Sequence, residues 1–254
     1  MYMRLVQVKV NPERLSEMRE FYDRKVIPAI QTMNGCLFAG LMRSDDHPDE
    51  GVSMTLWDNQ ANAEAYGNSD VYRNLIEEVK SFLADSTEWK VQLSKDLTLE
   101  YVPVVEEPVV KSYSVGAFKE GAASLHDNPQ SMYVRIVAPK VHPGKLQDFE
   151  RIYTNEIIPA LRSVKGCRYA YLTQGWKNKI EVLSVTVWDS QQDVENYERS
   201  GLFNSLSDKL KDTYSELYQW KMQLKKDSGK KVVTSEDMAV EHYRVVTGEN
   251  FGGR

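Results

Sequence analysis

Apolar side chains recur at steps of three and four residues from Leu15 onward, at Leu15, Met18, Tyr22, Val26, Ala29 and Met33. That is the period of a helix with one buried face. The stretch before it, Tyr2 to Val10, carries alternating β-formers and predicts a strand. Asn11-Pro12 separates the two, and proline is tolerated in a first helical turn because its missing N–H has no intrahelical partner there. Pro28 predicts a kink near the end of this helix, and Gly35 a left-handed cap that closes it. Two strands are expected next, Cys36 to Arg43 and Gly51 to Trp57. A second helix carries Val71, Leu75, Val79 and Phe82 on its stripe and is broken near Gly67. A late strand begins around Trp89, and a last strand-like run covers Val109 to Val115.

The pattern then repeats at an offset of 131 residues without a gap. Tyr2-Met3-Arg4-Leu5-Val6 returns as Tyr133-Val134-Arg135-Ile136-Val137, Ile27-Pro28-Ala29 as Ile158-Pro159-Ala160, and Trp57-Asp58 as Trp188-Asp189. The helical stripe reappears at Leu146, Phe149, Tyr153, Ile157, Ala160 and Val164, closed by Gly166. Strands Cys167 to Thr173 and Lys179 to Trp188 follow. Ser190 then offers an N-cap, and a helix with Leu202, Leu206, Leu210 and Thr213 is broken near Gly201. The strands from Trp220 and from Val240 to Val246 complete the copy. A period this long is no solenoid unit, whose repeat runs roughly 20–50 residues. It is a duplicated domain: residues 1–115 and 132–247, joined by a linker at 116–131 and followed by a tail at 248–254. The order β-α-β-β-α-β, twice, predicts an α+β protein of two ferredoxin-like units. An antiparallel sheet with helices on one face leaves its other face in need of cover, which two units in one chain can give each other.

Composition narrows the function more than the fold. Hydrophobic residues make up 41% and charged residues 27%, as in a soluble globular protein. The net charge is −5 with no block of Lys or Arg, which argues against nucleic acid and anionic membranes as partners. No apolar run approaches a span of ~18 residues, and the chain opens directly into a strand pattern, so a cytoplasmic location is expected. Cys36 and Cys167 stand at equivalent positions and read as small buried hydrophobes, not as a disulfide framework. The four histidines, His47, His126, His142 and His242, lack metal-ligand spacing. No phosphate loop or serine elbow occurs. Neither a metal nor a nucleotide cofactor is expected.

Pro159-Ala160-Leu161-Arg162, Gly166-Cys167, the hairpin end Val185-Thr186-Val187-Trp188-Asp189-Ser190 and the continuation Tyr197 … Ser200-Gly201-Leu202-Phe203 resemble the antibiotic biosynthesis monooxygenase domain. The first copy resembles it too, in Pro28-Ala29, Gly35-Cys36, Thr55-Leu56-Trp57-Asp58 and Tyr66. The resemblance covers nearly all of both copies. It implies the dimeric α+β barrel, here intramolecular, with a pocket in each half between sheet and helices and further homodimerisation left open. It also implies oxidation of a small aromatic or phenolic molecule with dioxygen, without metal or flavin. A neighbouring branch that degrades haem uses an Asn on the first strand, a Trp where Tyr66 and Tyr197 stand, and a His one turn into the long helix. Here those positions hold Val6 and Val137, the two tyrosines, and Ile76 and Ser207, which disfavours haem. A ligand-binding or stress-associated barrel without turnover is the main alternative.

Three pairs of residues are candidates for the site. Tyr66 and Tyr197 could hydrogen-bond or protonate a substrate oxygen, the catalytic role. Trp57 and Trp188 could wall a pocket and donate an indole N–H, or simply plug the core. Arg4 and Arg135 lie in half-buried strands and need a partner, either an anionic phenolate or an acid of the other copy. Tyr22 and Tyr153 fall on the inner stripe of the first helix and read as core. The copies differ at Asp45 to Pro48 against Gly175 to Asn178, and at Ile76 against Ser207, so unequal pockets are expected to arise there.

Overall fold

A computed structural model describes the backbone of residues 1–93, 99–105, 109–119, 132–175, 179–216, 219 and 239–250. Side chains are described through residue 84, over 132–175 and 179–216, and at 219 and Tyr243. Two compact units result, one of residues 4–111 with 246–254, the other of residues 1–3 with 112–245.

The first repeat begins with β1 (Tyr2–Lys9) and a 3-10 turn, Pro12–Arg14, capped by the Asn11 side chain, which accepts from the Glu13 N–H at 3.0 Å. The predicted amphipathic helix follows in three pieces: α1 (Leu15–Phe21), a π-helical turn (Tyr22–Val26) and α2 (Ile27–Gln31). The proline kink expected here takes the form of that turn. Pro28 has no N–H, and its ring would clash with the carbonyl four residues back. The chain widens by one residue just ahead of it, with the Ile27 N–H bonding the Tyr22 carbonyl. The second repeat does the same between α5 (Leu146–Ile152) and α6 (Ile158–Arg162), where the Ile158 N–H reaches Tyr153. Gly35 and Gly166 close the helices at φ 77° and 80°.

The hairpin of β2 (Cys36–Ser44) and β3 (Glu50–Trp57) pairs in register Gly40↔Met54, and β1 joins on the far side of β3. Its counterpart is β7 (Tyr133–Ala138) beside β9 (Val182–Trp188), which pairs with β8 (Cys167–Gly175). β9 starts at Val182, later than the expected Lys179. Each sheet carries a broken helix pair: α3 (Gln60–Gly67) and α4 (Asp70–Val79), then α7 (Gln191–Arg199) and α8 (Leu202–Leu210). Asn59, Ser69 and Ser190 cap α3, α4 and α7 through their side chains. Backbone bonds Asn11 N–H to Phe82 and His142 N–H to Thr213, both 2.9 Å, tie the end of each second helix to the end of the first strand. The fold is α+β, with two ferredoxin-like repeats.

The late strands depart from the simple pattern. β4 (Asp85–Leu93) pairs with β5 (Leu99–Val105) in a separate two-stranded sheet. β6 (Val109–Lys119) runs past 116, where the linker is expected to begin, and pairs antiparallel with β8 (Tyr113↔Gly175). β10 (Ala239–Asn250) pairs antiparallel with β7 (Tyr243↔Val134). The strand expected from Trp220, the divergent loop residues 176–178, the stretch 120–131 and residues 251–254 lie outside the described residues.

Between sheet and helices of the second repeat sits a core of Phe149, Tyr153, Leu161, Trp188, Val194, Leu206 and Leu210. Each such side chain contributes about 1.5–3 kcal/mol by leaving water.

Candidate functional site

Each repeat encloses a narrow cavity between its sheet and its helices. The first is lined by Arg4, Val6 and Val8 of β1, Tyr22 and Val26 of the π turn, Ser53 and Thr55 of β3, Tyr66 of α3, and Tyr72, Leu75, Ile76 and Val79 of α4, with Met18 and Phe21 of α1. The second is built from residues at the same offset of 131, including Arg135, Val137, Tyr153, Ser184, Thr186, Tyr197, Phe203, Leu206 and Ser207. The cavity volume is about 50 Å³ in the first and about 40 Å³ in the second. A water needs about 10–15 Å³ on this measure, so each cavity admits a few waters or a single-ring guest.

Both candidate tyrosines reach the cavity walls. Tyr66 of α3 and Tyr197 of α7, on the helices that follow β3 and β9, are buried and line the cavities. Burial pushes both phenols up; the neighbouring arginine opposes this in each case, and Tyr197 settles at about 12. A phenol that holds its proton this firmly is a hydrogen-bond donor, not a base. The tryptophans sit behind the tyrosines. Trp57 is fully buried, stacks on Tyr66 at 5.2 Å, and gives its indole N–H to Thr55 Oγ1 at 2.9 Å. Trp188 repeats this with Tyr197 at 5.0 Å and Thr186 at 2.8 Å. Neither indole lines its cavity, and both N–H groups are already committed. The tryptophans reach the cavity through Thr55 and Tyr66, and through Thr186 and Tyr197.

The arginines are buried on the cavity wall, Arg4 at 8% and Arg135 at 2% exposure. Each guanidinium lies over aromatic faces: Arg4 over Tyr72 at 4.3 Å and Tyr66 at 5.7 Å, Arg135 over Phe203 at 4.2 Å and Tyr197 at 5.8 Å. The acid that pairs Arg135 comes from its own repeat, not from the other copy: Nε meets Glu198 Oε1 at 2.7 Å. Arg4 has no such acid among the described residues, and its Nε is buried without an acceptor.

Tyr22 and Tyr153 are buried core residues, as expected, and they line the cavities as well. The π turn aims them at the sheet, where Tyr22 meets Ser53 Oγ at 3.0 Å and Tyr153 meets Ser184 Oγ at 2.5 Å. A π turn inside an α-helix is frequent at functional sites; here the helical stripe masks it in the sequence. Ser53 and Ser184 gave no sequence signal beyond their equivalence. Cys36 and Cys167 are free and buried, and burial pushes the Cys36 thiol up to about 12, which makes it a poor nucleophile. Ile76 and Ser207, which differ between the copies, line the cavities, and no described lining residue is a histidine. Among the described residues no cluster could hold a metal ion, and no helix is long and apolar enough to cross a membrane.

The sequence pattern of the antibiotic biosynthesis monooxygenase family matches residues 1–78 and again 132–208. The chain belongs to this family, in two tandem copies. Among solved structures, a provisionally named monooxygenase of Fusobacterium nucleatum is similar over 100% of this chain and 95% of its own, at TM-score 0.70 and 11% identity. One of Lactobacillus acidophilus is similar over 99% and 96%, at TM-score 0.63 and 11% identity. An anthrone oxidase-like protein follows at TM-score 0.55 and 12% identity, over 100% and 94%. At such identities the likeness is one of fold. Among curated proteins none matches the chain by sequence.

Proposed function

We propose that this chain is a cofactor-independent monooxygenase that oxidises a small phenol with dioxygen. The observation that supports it is the buried Arg4 guanidinium on a cavity wall beside Tyr66, a tyrosine that burial keeps protonated. A phenol seated with its oxygen toward Arg4 loses its proton more readily, because the nearby positive charge favours the phenolate. The electron-rich ring then passes electrons to dioxygen held against the apolar wall of Val6, Leu75 and Ile76. A bond forms between one oxygen atom and the ring carbon para to the phenolate. The O–O bond breaks, and the second oxygen leaves as water with the phenol proton and the para C–H proton. Phenol and dioxygen thus give quinone and water, in balance. Tyr66 donates a hydrogen bond to the oxygen on which charge gathers, and Trp57 positions Tyr66 and Thr55.

Dioxygen uptake with a panel of single-ring phenols that carry hydrogen para to the hydroxyl, using labelled dioxygen, tests this. One labelled atom should enter the product, and Tyr66→Phe should lower kcat by roughly 100-fold. Unchanged turnover in the Tyr66→Phe, Tyr197→Phe double variant would sink the tyrosine role. The described lining residues include no carboxylate or imidazole, which favours a second reading, a ligand-binding protein without turnover. Binding of the same phenols with no oxygen uptake would decide for it.

A further inference from the structure

We infer that the two cavities are unequal in charge: the first-repeat cavity binds a small single-ring anion, a carboxylate or phenolate, at Arg4, whereas the second-repeat cavity carries its own counter-ion and excludes anions. The inference rests on the cavities being ligand sites, as proposed above.

At the offset of 131 the polar lining is nearly invariant: Arg4/Arg135, Tyr22/Tyr153, Ser53/Ser184, Thr55/Thr186 and Tyr66/Tyr197. The residue after each lining tyrosine differs, and it decides the charge. In the second repeat it is Glu198, whose carboxylate holds Arg135 Nε at 2.7 Å. The Nη2 amino group of Arg135 keeps no acceptor, but the positive charge is matched. In the first repeat the same position is Gly67. A Cβ built there would collide with Arg4 Nη1, so the guanidinium occupies the space that a side chain would need. Glycine at 67 both removes the acid and admits the arginine.

Arg4 is therefore a cation more than nine-tenths buried, on the wall of a cavity, with aromatic faces beside it and no carboxylate among the described residues. Aromatic faces offset part of the cost of burying such a charge, but they leave the Nε–H without an acceptor, and an unpaired buried charge is expensive. An anion entering the cavity supplies both the charge and the acceptors. A planar carboxylate or a phenolate suits a guanidinium fork, and its ring suits the apolar remainder of the lining. The second cavity is also more filled: Tyr214 stands at the position of Leu83 and bonds Ser207 Oγ at 3.0 Å across the lining.

Calorimetric titration of the full chain with 4-hydroxybenzoate, and with 4-hydroxybenzamide as its uncharged counterpart, tests the inference without needing turnover. The wild type should bind one benzoate per chain, with the amide weaker by roughly ten- to hundred-fold. Gly67→Glu should remove that site. Glu198→Gln, which keeps the shape and drops the charge, should add a second benzoate per chain, a gain that a folding defect cannot mimic. Two benzoates in the wild type, or no gain in Glu198→Gln, would overturn the inequality. Equal binding of benzoate and amide at both cavities would overturn it too, while leaving the cavities as ligand sites. No binding of either probe to wild type or Glu198→Gln would bring down both the inequality and the proposed function.

Discussion

Around each cavity the side chains are held by short, specific polar contacts, and their removal has unequal consequences. Thr55 accepts the indole N–H of a fully buried Trp57. Thr55→Val should leave that N–H without a partner and cost about 1–3 kcal/mol in urea unfolding, although the volume barely changes. An unchanged unfolding midpoint would mean the indole bond adds nothing. The tyrosines make a pH prediction. Tyr197 holds its proton up to about 12 against an ordinary 10.0, chiefly because burial disfavours the phenolate. Its folded value lies above its unfolded value, so the native state binds the proton more tightly. The stability this represents is full below pH 10 and is lost as pH climbs toward 12. The urea midpoint should fall across that window, and less steeply in Tyr197→Phe. Equal slopes in the two proteins would show that Tyr197 titrates normally.

Helix ends and breaks set the positions of those side chains, and glycine is the residue that permits them. Gly166 and Gly201 have nearly the same φ, 80° and 77°, but a Cβ at Gly166 would collide with the Asp193 side chain, whereas one at Gly201 meets nothing within 4 Å. Gly201→Ala should cost only the left-handed backbone strain, about 1–2 kcal/mol. Gly166→Ala should cost distinctly more, and equal shifts of the urea midpoint would refute the collision. These caps were legible in the sequence because a helix end is a local event: stripe, glycine and strand lie within a few residues. The amphipathic stripes and the hairpins were legible for the same reason. Which strand lies beside which was not. Nothing in Val109 to Val115 says that it pairs with β8, because strand partners are chosen by distant backbone. The π turn was hidden because Tyr22 and Tyr153 keep helical spacing on either side of it. Gly67 reads locally as a helix break and shows its second meaning only when Arg4 is found against it.

At the scale of the whole molecule the duplication supplies an internal control, since the cavity residues Arg4, Tyr22, Ser53, Thr55 and Tyr66 have the counterparts Arg135, Tyr153, Ser184, Thr186 and Tyr197. Cavity residues chosen for binding are commonly held at a cost in stability, and the control shows where that cost falls. Arg135 has Glu198; Arg4 has no acid among the described residues. Replacing a buried charge by an apolar side chain of similar length removes a desolvation penalty, so Arg4→Met should stabilise the protein by about 1–3 kcal/mol. It should also abolish benzoate binding. Removing the counter-ion in the second repeat has the opposite sign. Glu198→Gln leaves Arg135 buried without its counter-charge. Because the Glu198 side chain is 31% exposed and partly screened, the loss should be about 1–2 kcal/mol, below that of a fully buried pair. Saturating benzoate should restore part of that loss in Glu198→Gln by mass action, and should do nothing for Arg4→Met. Urea midpoints of the two variants with and without the ligand measure all of these together. A loss of stability in Arg4→Met would mean that Arg4 is a structural member of the first repeat, and the stability cost assigned to its cavity would be wrong.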